Sequence, residues 1–222
     1  QTASMDHGMW MDTNMLSYTV QCFHHMNLLQ CFAMILHDEK KVAYIDFYER
    51  LLAHIEQNPG TVCGRVFADI RRRLSEALES RGGLLCYDDE FGDISWPFEE
   101  YAFLKIVREI DAFYDETGDF LRTFGLPDDL FDSLLLYQRN IIKRPNRETA
   151  EFELAYNLHD YFAARFKGEN AGLAKQKITL KIVDTDIITD WPSYARTVVW
   201  YGRKESKNIC EARVTSKEGR DE

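Results

Sequence analysis

The stretch Met15-Leu16-Ser17-Tyr18-Thr19-Val20-Gln21-Cys22-Phe23-His24-His25-Met26-Asn27-Leu28-Leu29-Gln30-Cys31-Phe32-Ala33-Met34-Ile35-Leu36 decides the fold class. Apolar residues dominate it and recur at helical spacing around much of its girth, through Leu16, Val20, Phe23, Leu29, Phe32 and Leu36. A helix that is apolar nearly all round belongs inside a protein. The reading is therefore one long central helix, capped by Asp12, in a mainly α chain. Residues 1–11 are Met-rich and show no clear period.

Further helices follow on both sides of punctuating residues. Tyr44 to Ile55 keeps the spacing and is stopped by Asn58-Pro59-Gly60. Thr61 caps the next, which carries the basic run Arg71-Arg72-Arg73 and ends at Gly82-Gly83. Leu84–Tyr87 and Ile94-Ser95-Trp96 flank an acidic turn and read as a small hairpin or ordered loop. Pro97 suits a first helical position, with Glu99 and Glu100 at the positive end of the dipole, and that helix is expected to run to about Phe124. Pro127 and Asp128 start another, through Ile141. Then the period changes. Phe152–Tyr156 alternates like a strand, Leu158–Phe166 is helical, and Ile178 to Ile182 is the clearest strand. Trp191-Pro192 opens a short closing helix ending near Tyr201-Gly202, and the last dozen residues read as a polar, frayed tail. The fold class is mainly α (α+β): a multi-helix body over about 1–150, then a smaller α+β portion over 151–222, packed as one unit.

The 222 residues carry a net charge of −10, which opposes a nucleic-acid partner. The charge is uneven, because 175–222 hold ten Lys/Arg against eight Asp/Glu. No run of about 18 apolar residues exists, so no membrane partner is expected. Five cysteines at long spacings, with no CxxC, read as free thiols of a reducing, cytoplasmic setting. The chain begins at Gln1, and the simplest expectation is a piece of a longer polypeptide.

No dinucleotide, phosphate-loop, zincin or nucleophile-elbow motif is present. Cys22 and His25, three apart, could begin a metal site, but the stretch supplies no full set of ligands. A buried, hydrogen-bonded His24–His25 pair is the favoured reading. Asp88, Asp89, Glu90 and Asp93 could hold a hard cation, yet they do not follow the EF-hand spacing and read as a solvated turn. Asp93, Trp96, Glu99 and Glu100 gather acids and an aromatic at a helix start. There, acid–base work competes with simple capping and packing. The richest stretch is 191–204, where Trp191, Tyr194, Trp200 and Tyr201 interleave with Arg196, Arg203 and Lys204. It suits either stacking on a ligand or docking of an amphipathic helix, and Val198-Val199 favour docking.

Several strings resemble the C-terminal region of bacterial radical SAM proteins that carry an N-terminal cobalamin-binding domain. They are Phe23-His24-His25-Met26-Asn27-Leu28-Leu29 with Ile35-Leu36-His37; Asp46-Phe47-Tyr48-Glu49-Arg50-Leu51-Leu52; Asn58-Pro59-Gly60-Thr61; Phe91-Gly92-Asp93-Ile94-Ser95-Trp96-Pro97-Phe98-Glu99-Glu100; Leu136-Tyr137-Gln138-Arg139; and Asp190-Trp191-Pro192 through Trp200-Tyr201-Gly202-Arg203-Lys204. The resemblance implies a large enzyme in which cobalamin, S-adenosylmethionine and a [4Fe-4S] cluster serve other domains, many members being methyltransferases. The chain lacks CxxxCxxC, which such a cluster needs, and D-x-H-x-x-G, so no catalytic residue is carried over. The expectation is an accessory domain that caps the substrate, has no cofactor of its own, and is partnered by the preceding barrel and cobalamin domains and by a small-molecule substrate. Candidate substrate-facing or docking residues are Asp93, Trp96, Glu99, Trp200, Tyr201 and Arg203. Two other readings stand beside it: an independent helical interaction module, and a small hydrolase using the acidic loop.

Overall fold

The computed structural model describes residues 6–80, 83–147, 149–184, 188–202 and 208–217. The fold is mainly α, with two small antiparallel sheets. The helices are α1 (His7–Val20), α2 (Gln30–Lys40), α3 (Tyr44–Gln57), α4 (Val62–Ser80), α5 (Phe98–Arg108), α6 (Ile110–Arg122), α7 (Asp128–Ile141), α8 (Leu158–Phe166) and α9 (Trp191–Tyr194). The strands are β1 (Leu85–Tyr87), β2 (Ser95–Pro97), β3 (Ala150–Leu154), β4 (Ile178–Val183) and β5 (Glu211–Lys217). β1 pairs with β2, and β4 lies between β3 and β5. One cluster of buried apolar side chains extends from Met15 to Cys210.

The central helix is interrupted, contrary to the sequence reading. Asp6, not Asp12, caps α1 by accepting from the Met9 N–H at 2.8 Å. The helix then widens into a π turn, Gln21–His25, and stops. Asn27 takes a left-handed conformation (φ 65°), and α2 begins at Gln30. Asn tolerates that conformation far better than a branched or bulky residue.

A break inside a core exposes backbone groups that helix hydrogen bonds no longer satisfy. Three distant polar side chains meet them here. Fully buried Gln138 donates to the Asn27 carbonyl at 2.6 Å and accepts from the Cys31 N–H at 2.9 Å. Tyr114 donates to the Leu28 carbonyl at 2.8 Å. Asn208 donates to the Met26 carbonyl at 2.5 Å and accepts from the Asn27 side-chain amide (Nδ2) at 3.1 Å.

The helix expected from Pro97 to Phe124 is likewise two helices, α5 and α6, offset at Glu109 (φ −118°). Both keep apolar faces in the core, which is why the periodicity runs through the joint. The strand expected over Phe152–Tyr156 lies two residues earlier, at Ala150–Leu154, while the α3–α4 joint agrees with the sequence. α3 ends at Gln57, before Asn58-Pro59-Gly60, and the Thr61 hydroxyl accepts from the Gly64 N–H at 3.1 Å. Gly64 is required by space: a Cβ there would sit 2.0 Å from the Asn58 carbonyl oxygen.

The polar tail is partly a strand. β5 pairs with β4 from Val183↔Glu211 to Ile178↔Lys217, with a bulge near Thr179. Its end is fastened to α8, because Lys217 meets Asp160 at 2.6 Å. Lys217 first, and then donors from Asn157 and His159, pull the Asp160 carboxyl down to about 2. A depressed folded-state value adds stability above the ordinary 3.8, and that contribution disappears as pH falls toward about 2. The pair is half exposed, so its effect on stability is small. Lys217→Ala is expected to return the Asp160 titration most of the way to its ordinary value, as read by carboxyl carbon-13 NMR. An unmoved titration would show that β5 is not closed onto α8 in solution.

Candidate functional site

A cavity of about 470 Å³ lies where the broken central helix meets the start of α5 and the C-terminal segments. Gln21, His25 and Met26 line it from the π turn and the break, Glu99 and Glu100 from the first turn of α5, and Val198 and Asn208 from the last part of the chain. A second cavity of about 360 Å³ lies on the other side of His25. Val20, His24, Tyr44, Ile45 and Tyr48 line it, with His25 in the shared wall.

The break creates this geometry. Cys22 is fully buried and His25 is exposed, so the wider π turn carries His25 off the face that three-residue spacing implied. The pair cannot begin a metal site as read from sequence. The expected buried histidine pair is also corrected. His24 is half-buried and its Nδ1 lies 2.8 Å from the Tyr48 hydroxyl. Burial, and then the neighbouring His25, lower the His24 imidazole below its usual range. His25 touches His24 edge-on at 5.5 Å and has no hydrogen-bond partner among the described residues.

Of the candidate residues, Glu99 lines the larger cavity. Its carboxylate has no ion pair among the described residues, yet it is near enough to Tyr18 to add to burial in pushing that phenol up to about 12. Trp96 and Trp200 meet edge-to-face at 5.9 Å, with Trp96 fully buried. Asp93 is drawn away into an ion pair with Arg196. Tyr201 is 67% exposed. Arg203 lies outside the described residues, as does Lys204. Sequence reasoning missed Gln21 and Asn208 as lining residues. Asn208 carried no local signal, since its partners are 181 and 182 positions away.

The acidic turn is a docking platform. Asp88 pairs with Lys105 at 3.1 Å, Glu90 pairs with Arg108, and Asp93 pairs with Arg196. Phe91 packs edge-on against Trp191 at 6.1 Å, and Arg108 lies over the Trp191 ring at 5.5 Å. Gly92 holds φ at 90°, where L side chains are strained, and faces Pro192. These contacts seat 191–200, whose own turn is also π-helical, so that Val198 forms part of the cavity wall. Three of the four acids of the turn are thus engaged by cations.

The five cysteines are free and buried, as expected. No group of three or more His, Cys, Asp or Glu among the described residues could hold a metal. Burial pushes the Cys22, Cys31 and Cys63 thiols up, so they stay protonated. These thiols do not fit a [4Fe-4S] cluster. No described helix is long and apolar enough to cross a membrane.

No family model matches the chain. It is 24% identical to the cobalamin-dependent radical SAM methyltransferase TokK of Streptomyces tokunonensis, over 73% of this chain and 27% of that protein. It is 20% identical to the 2-(S-pantetheinyl)-carbapenam-3-carboxylate methyltransferase of Streptantibioticus cattleyicolor, over 90% of this chain and 32% of that protein. The chain thus spans about a third or less of the length of the curated relatives it matches, and its likeness to these methyltransferases is distant but covers most of its residues.

Proposed function

We propose that this chain is the C-terminal accessory domain of a cobalamin-dependent radical SAM methyltransferase, and that it caps a small-molecule substrate handled by preceding barrel and cobalamin domains. The observation that carries this reading is the match itself, which takes in 73–90% of the chain but only 27–32% of each relative. The cavity supports it, since residues from both ends of the chain meet there around a space of substrate size. The chain's own thiols do not fit a cluster, so no step is assigned here to cobalamin, iron or S-adenosylmethionine. The work of these residues is binding and exclusion. Met26 and Val198 supply apolar wall that keeps water away, while Glu99, Gln21 and His25 offer polar contacts that orient a bound molecule.

Gln21→Trp tests this, because it fills the cavity from a side chain whose one hydrogen bond is local, to Ser17 at 3.0 Å. In the full-length protein, methylated product per S-adenosylmethionine cleaved is expected to fall about tenfold or more. An unchanged ratio in the folded variant would remove the capping role. The gene should also encode an in-frame CxxxCxxC upstream of these residues, and its absence would remove the family reading.

A further inference from the structure

Two cavities flank one exposed histidine, and their chemistry differs. Around the larger one, polar groups come from Gln21, His25, Glu99, Glu100 and Asn208. Glu99 brings a negative charge with no ion-pair partner among the described residues. The smaller one is faced by Val20, Ile45 and the rings of Tyr44 and Tyr48, with Ile45 48% exposed. Tyr44 is held in place by stacking on His37 at 4.6 Å, and Tyr48 by its contact with His24. The aromatic wall is therefore built into the fold.

We propose that the two cavities form one site for a bipartite small molecule. Its N–H-bearing head sits among Glu99, Gln21 and His25, and its apolar chain crosses His25 to lie on Tyr44, Ile45 and Tyr48. The hydrogen-bonding logic follows from what each group has left. Glu99 has no partner among the described residues and accepts only. The Gln21 amide gives one N–H to Ser17, leaving its oxygen to accept and its second N–H to donate. The unpaired Glu99 carboxylate selects a head with donors and disfavours a carboxylate or phosphate beside it. His25 has two unengaged ring nitrogens and serves the junction, where the head ends and the chain begins. This names the substrate class for the capping reading and takes its biological meaning from it. Its test, however, needs binding alone.

The probes are N-hexanoylglycinamide, N-acetylglycinamide and hexanoate, titrated into the full-length protein by calorimetry. N-hexanoylglycinamide is expected to bind at least about tenfold tighter than N-acetylglycinamide, because four more methylenes leave water. Hexanoate should bind at least about tenfold more weakly than the hexanoyl amide. Ile45→Asp, on an exposed position that tolerates charge, should abolish the chain-length preference and leave N-acetylglycinamide binding unchanged. Glu99→Gln and His25→Ala should weaken both amides. Equal affinity for the two amides, hexanoate binding as tightly as the hexanoyl amide, or Ile45→Asp weakening both amides alike would overturn the proposal, as would no binding by any probe. Methylation coupling that is lost in Gln21→Trp while these affinities stay flat would spare the capping role and reject only the bipartite ligand.

Discussion

Gln138→Ala is expected to destabilise the protein by about 3–5 kcal/mol and to lower its melting temperature by roughly 10 °C. Gln138 is completely buried, and both ends of its amide are used at the break in the central helix. Truncation strands the Asn27 carbonyl and the Cys31 N–H away from water, at about 1–3 kcal/mol each, and leaves a void as well. Gln138→Leu separates these costs. It restores most of the volume but neither hydrogen bond, so it should keep more than half of the loss. Thermal unfolding of the two variants decides the matter. A leucine variant as stable as the parent would show that the break does not depend on this side chain.

Trp96→Ala should cost about 3–5 kcal/mol, the range for removing a large buried aromatic. Trp96 is fully buried beneath Trp200, and its loss leaves the Trp200 ring without its edge-to-face partner beside the cavity. Trp96→Phe is the informative contrast. The indole Nε1 is buried and has no acceptor among the described residues. Phenylalanine therefore gives up packing area but no hydrogen bond, and should cost only about 1–2 kcal/mol. Denaturant unfolding, followed by far-ultraviolet circular dichroism, measures both. A loss in Trp96→Phe well above about 2 kcal/mol would mean that Nε1 has an acceptor after all.

Two of the local signals in the sequence are matched closely by the structure. α8 runs over the residues that helical spacing marked, Leu158–Phe166, and β4 over the alternation at Ile178–Val183. The hairpin around the acidic turn was legible from its two short apolar runs. The two split helices were not, because Leu28 and Leu29 on one joint and Ile106, Val107 and Ile110 on the other are buried whether or not the axis changes direction. Periodicity reports a face, not a straight rod. β5 was read as a frayed tail because only Ala212 and Val214 turn inward along it, and its order comes from pairing with β4. Glu99 and the Trp96–Trp200 pair were visible as unusual residue types near a helix start and a chain closure. The cavity itself was not visible, since it depends on the π turn that reorients His25 and on Asn208, which nothing nearby in the chain distinguishes.

The grip of Asn208 on Met26 and Asn27 joins positions 181 and 182 residues apart. Contacts of such separation close late, because the loop between them must be drawn in first. During synthesis, α1 through α7 can collapse around their shared core while the carbonyl of Met26 still faces water. The cavity is therefore finished only once residue 208 has emerged from the ribosome. A nascent chain stalled before that point would hold a nearly complete helical bundle with one wall of the cavity missing.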